Sequence, residues 1–182
     1  MSQKIERHDY SKYLKATDDE LITKIGKKCD LSQMELRKVS YENFDVGEAV
    51  VSILISRFRN SDVDPRKASA ITKNLLEAGM AAFLAADRVI AEHQPDLVYL
   101  FNGRGSQQRA MLRACEKHET NYDVIEEGCD LNHYAVFRNS TPHDILYRTT
   151  QIKSNWQNGN RESLSKLATD FYEKRVAGHK GY

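Results

Sequence analysis

Residues 95–115 read PDLVYLFNGRGSQQRAMLRAC: an apolar run, a glycine corner, then a helical pattern. In DLVYLFN (96–102) five of seven residues are apolar and do not alternate. That pattern predicts a parallel strand covered on both faces. The spacing after it predicts a helix over 106–118 with Ser106 as its cap, and YDVIEEG (122–128) a second short strand. Strand, helix and strand within about 33 residues make a βαβ unit with a right-handed crossover. The fold class read here is therefore α/β, rich in helix, with a small parallel sheet.

Upstream, the chain reads almost wholly as helix. Thr17-Asp18-Asp19-Glu20, Ser32-Gln33-Met34-Glu35 and Asp45-Val46-Gly47-Glu48 each fit a capping box and predict helices at about 18–27, 33–39 and 46–59. The Val and Ile content of 49–55 leaves a strand there as an alternative. Asp64-Pro65 starts another helix, which reaches His93 without a further proline. Its small-residue run AGMAAFLAA (78–86) offers a surface for close packing. Downstream, Thr141-Pro142-His143-Asp144 fits a capping pattern, and residues 161–177 place Leu164, Leu167, Ala168, Phe171 and Tyr172 on one helix face. A two-stranded sheet buried on both faces is not stable by itself. Further strands are expected in 36–43 and 133–139, or in a larger protein to which this segment belongs.

Composition narrows the function classes. In 182 residues, 27 basic and 26 acidic side chains leave a net charge of +1, which argues against a dedicated nucleic-acid binder. No stretch approaches the roughly 20 apolar residues of a membrane span, and the polar start lacks a secretory h-region. A cytoplasmic location is expected. Cys115, His118, Cys129 and His133 are permissible zinc ligands, but Cys115 and His118 fall within a helical pattern, so buried thiols are preferred and no metal site is assigned.

Ligands of open α/β sheets bind beyond the carboxyl ends of the strands. Two corners should lie there: Asn102-Gly103-Arg104-Gly105 and Glu126-Glu127-Gly128. Free amides at a helix start, with Arg104 and Arg109, suit an anion or a polar ligand. Gln108 stands where a dinucleotide fingerprint needs glycine, and no P-loop is present, so a plain tight turn is an equal reading. A carboxylate at Glu126 or Glu127 could take a proton from an attacking hydroxyl, and His143 is a further acid–base candidate.

The blocks DVGEA (45–49), FNGR (101–104), EEG (126–128) and TPHD (141–144) occur in order. Together they resemble the N-terminal region of capsular-polysaccharide and lipopolysaccharide biosynthesis proteins, which are similar to two-domain GT-B glycosyltransferases. The resemblance spans about residues 40–156. It implies a three-layer Rossmann-like core over 41–156, after an N-terminal helical segment (1–40) and before a C-terminal helix or connector (157–182). It also implies that FNGR lies on the acceptor side of an interdomain cleft. Family members usually show an H-E-R-G-like corner where this chain reads Ile125-Glu126-Glu127-Gly128.

On this resemblance the chain is expected to be incomplete relative to the two-domain fold and inactive alone. The nucleotide-sugar donor would sit on a missing C-terminal domain, and no cofactor is expected here. A glycan or lipid-linked sugar would be the acceptor. Asn102, Gly103, Arg104, Gly105, Arg109, Glu127 and Gly128 would bind it, with Glu126 or His143 as catalytic group. The alternative is a non-catalytic binding or assembly domain that holds a partner or small polar ligand at the same corner. A homo-oligomer or a partner domain would complete the sheet.

Overall fold

The computed structural model describes residues 9–128 and 133–178. The chain divides into two compact units, Met1–Tyr122 and Asp123–Tyr182. The first contains α1 (Asp18–Gly26), α2 (Gln33–Leu36), α3 (Val46–Phe58), α4 (Ser69–His93), β1 (Leu97–Phe101) and α5 (Ser106–Lys117). Strand β2 (Asn121–Glu127) begins at its end, and β3 (Tyr134–Arg138), α6 (Ile145–Asn158) and α7 (Arg161–Val176) follow. Among the described residues no helix is long and apolar enough to cross a membrane.

The long helix α4 organises the first unit. Its start follows the expected chemistry: Asp64 accepts the Arg66 amide at 3.1 Å, and Pro65 opens a 3-10 turn that leads into α4. The small-residue run then does what its composition suggested. Gly79, Ala82, Ala85 and Ala86 are buried. A β-carbon at Gly79 would sit 3.2 Å from Ser106 Cβ and 3.4 Å from Val46 Cγ2. The starts of α3 and α5 therefore both reach α4 at this one glycine. Phe44 and Phe83 stack beside them with ring centroids 5.1 Å apart, and both are fully buried with Leu36, Leu54, Leu76 and Met80. Burying each such side chain contributes about 2–3 kcal/mol.

The capping boxes fare unequally. That of Ser32 and Glu35 forms in both directions, with the Ser32 amide donating to Glu35 at 3.0 Å. Thr17 makes no side-chain cap bond; Asp18 instead accepts the Lys15 amide at 2.7 Å and two bonds from Arg88, at 2.6 and 2.7 Å. That ion pair fastens α1 to α4. Asp45 heads α3 without capping it, because its carboxylate is taken by arginines of α5. The strand alternative for 49–55 resolves as helix α3.

The sheet corrects the expectation of a parallel one. It is mixed and three-stranded, in the order β1-β2-β3, and β3 runs antiparallel to β2 with Asp123 opposite Arg138 and Val124 opposite Phe137. The strand expected in 133–139 is β3, whereas 36–43 holds the end of α2 and an isolated bridge from Tyr41 to Phe44. Nor is β1 covered on both faces: Leu100 is buried, while Tyr99 and Phe101 are 65% and 58% exposed. A short hairpin partner needs no crossover helix, so a second face need not be covered.

Candidate functional site

The corner after β1 is built by backbone conformation. Asn102 and Gly103 both take positive φ, 61° and 71°, which glycine and asparagine adopt at least cost. The Gly103 amide donates to the Phe101 carbonyl at 2.7 Å, closing the turn. Gly105 rather than Ser106 is the N-cap of α5, and it supplies no side-chain acceptor. Ser106 is instead buried in the first turn, against Gly79. Arg104 is exposed and makes a long 3.4 Å bond to Ser56 Oγ on α3.

Arg109, a candidate ligand-binding residue from sequence, is otherwise employed. Its Nε donates to Asp45 Oδ1 at 2.9 Å and its Nη2 to Oδ2. Arg113, one turn on, donates to the same carboxylate at 2.9 and 3.1 Å, and to Glu116 at 2.6 Å. Tyr122 then donates to Glu116 at 3.1 Å. Burial pushes the Asp45 carboxyl up, but the bonds from Arg113 and Arg109 outweigh this and hold it well below the ordinary carboxylate range. The same bond to Asp45 raises Arg113, and burial beside Glu116 raises the Tyr122 phenol.

This network was not read from the sequence. The signal available was two arginines four residues apart on a helix, with an aspartate, read as a cap, before an apolar one.

The second candidate corner lies in the second unit. Glu126 pairs with Ala135 and Glu127 with Tyr134, so EEG is the first arm of a hairpin rather than a strand-to-helix corner. Glu126 is half-buried and Glu127 exposed; the Glu127 amide donates to Glu126 Oε1 at 3.2 Å. At Gly128 a β-carbon would lie 2.5 Å from the His133 carbonyl, to which the Gly128 amide donates at 2.9 Å. Glycine is required there by the close approach of two backbones. Beside it, Arg138 grips the buried Asp123 with two bonds, one of 3.0 Å, across the strand pair.

His143 is exposed and precedes α6. The cap of that helix is Asp144, which accepts the Tyr147 amide at 2.9 Å, so the expected Thr141 cap is displaced by three residues. Of the zinc-ligand types, Cys115 is buried and its thiol is pushed up to about 11 by that burial. His118 bonds Asp87 at 2.7 Å, and Cys129 lies outside the described residues. A hollow lined by Gln94, Asp96, His118 and Asn121 sits at the start of β1, the end remote from Asn102.

Comparison with known proteins finds no matching family model, no matching curated relative and no matching solved structure.

Proposed function

We propose that this chain is the acceptor-side domain of a sugar transferase in surface-polysaccharide assembly, with the 102–105 corner contacting the acceptor glycan. The observation that carries the reading is the pair of left-handed residues Asn102 and Gly103, which sets the exposed Arg104 beyond the end of β1. Beside it, α5 starts at Gly105 without a side-chain cap. An exposed guanidinium beside a helix start suits a polar or anionic ligand, a hydroxyl-rich or acidic glycan among them. The Asp45 network also supports it, since it accounts for DVGEA and FNGRGSQQR occurring together: the aspartate of the first block anchors the helix that follows the second. In the complete enzyme an acceptor hydroxyl would attack the anomeric carbon of a nucleotide-activated sugar and give its proton to a carboxylate base.

The second reading, a binding or assembly domain without catalysis, draws on Arg109. Its commitment to Asp45 removes one of the two cations proposed for the corner. One experiment serves both. Bacterial surface oligosaccharides and a set of nucleotide-sugars are titrated against isotope-labelled protein, and amide shifts are followed. The expected result is that glycans shift Asn102–Ser106 and that Arg104→Ala weakens them about tenfold, the scale of one charge-assisted hydrogen bond. A chain that binds nucleotide-sugars and ignores glycans would overturn the acceptor assignment.

A further inference from the structure

Helices α6 and α7 contain no buried residue, yet carry large apolar side chains at regular spacing. On α6, Ile145, Ile152 and Trp156 form one stripe at seven- and four-residue intervals, and they are 78%, 65% and 45% exposed. Tyr147, on the opposite side of the helix, meets Phe137 of β3 with ring centroids 6.1 Å apart. The stripe therefore points away from the strand that α6 contacts. Arg148 borders it on one side and Lys153 on the other, and α6 has no acidic residue.

Helix α7 repeats the pattern with its charges sorted. Leu164, Leu167 and Phe171 form its stripe; Leu167 and Phe171 are mostly exposed. Lys174 borders one side and Arg161 and Arg175 the other, with the Arg175 guanidinium 5.0 Å from the Phe171 ring centre. Of its three carboxylates, Glu162 and Glu173 fall on the far face, and Asp170 lies at the flank beside Lys174.

We infer that α6 and α7 form a docking surface for an anionic lipid bilayer. The argument is charge complementarity. Two apolar stripes edged by cations, that of α6 without any carboxylate and that of α7 with one at its flank, suit helices that lie in a membrane interface, apolar side inward and cations at the phosphates. Trp156 is of an aromatic type favoured at that depth. A second copy of the chain is the poorer occupant, because it would bring the same bordering cations face to face. The surface acts without either helix spanning the bilayer, and it stands independently of the acceptor-domain reading.

Trp156 is the chain's only tryptophan, so its emission reports the stripe directly. The full chain is mixed with phosphatidylcholine vesicles, with and without phosphatidylglycerol, and followed by Trp156 emission and by sedimentation. The expected result is a blue shift and co-sedimentation with the anionic vesicles, both lost at high salt, and neither with phosphatidylcholine alone. Arg148→Gln with Lys153→Gln should weaken binding about twenty-five-fold, near fivefold for each cation removed. Phe171→Asn should weaken it while leaving circular dichroism unchanged, since no core contact is lost. Should a variant unfold, the salt and lipid dependence of the unaltered chain decides by itself. Absence of binding to anionic vesicles, or equal binding to both lipids, would overturn the inference. So would concentration-dependent self-association that Ile152→Asn abolishes.

Discussion

A carboxylate at the head of a helix can cap that helix or leave it for a partner. Asp45 takes the partner, because two guanidinium groups offer it four bonds where the helix amides offer one or two. Asp18 makes the same choice with Arg88, and its carboxyl is held down to about 2 from an ordinary 3.8, chiefly by that bond. Both native values lie below those of the unfolded chain. Their contribution is therefore complete above about pH 5 and is lost as pH falls towards 2. The midpoint of thermal unfolding should be flat from neutral pH to about 5 and then drop. Asp18→Asn should lower stability at neutral pH by about 1 kcal/mol, after allowance for solvent screening, and make the acid limb shallower. A variant that keeps the full acid slope would remove Asp18 from this account.

At the scale of elements, the contacts that matter are those that admit no β-carbon. A β-carbon at Gly47 would lie 1.7 Å from the Leu36 carbonyl oxygen, and the Gly47 amide donates to Val39 at 2.9 Å. The α2–α3 connection thus runs directly over the first turn of α3. Gly47→Ala should cost about 3 kcal/mol, as backbone must move to admit the methyl group. Urea denaturation would check this, and a loss below about 1 kcal/mol would mean that the turn shifts freely. The close approach at Gly79 was legible as a small-residue run, whereas that at Gly47 was not, because its partner carbonyl at Leu36 lies in another element. The capping box at Ser32 was legible, because both its partners lie within one turn.

For the whole molecule, the main hydrophobic core comprises buried residues between Ile25 and Ala110, all in the first unit. Stability should therefore depend little on α6 and α7. A chain ending before Ile145 should still unfold cooperatively, with its midpoint within a few degrees of the full chain, the shift that about 1 kcal/mol produces. A large loss of cooperativity would show that the helices support the core.

Local chemistry was enough to place most elements. The Ser32 box, the Asp64-Pro65 start, the β-rich LVYLF run and the left-handed Asn102-Gly103 corner each act over a few residues, so their types and approximate limits follow from neighbours in the chain. Tertiary structure alone decided the rest. It set β3 antiparallel to β2, left Tyr99 and Phe101 exposed, and turned EEG into a hairpin arm. It also gave Asp45 to Arg109 and Arg113, far along the chain, which moved one predicted ligand contact into the scaffold. Charge pairing and face coverage depend on which surfaces meet in space, and residue spacing carries no information about that.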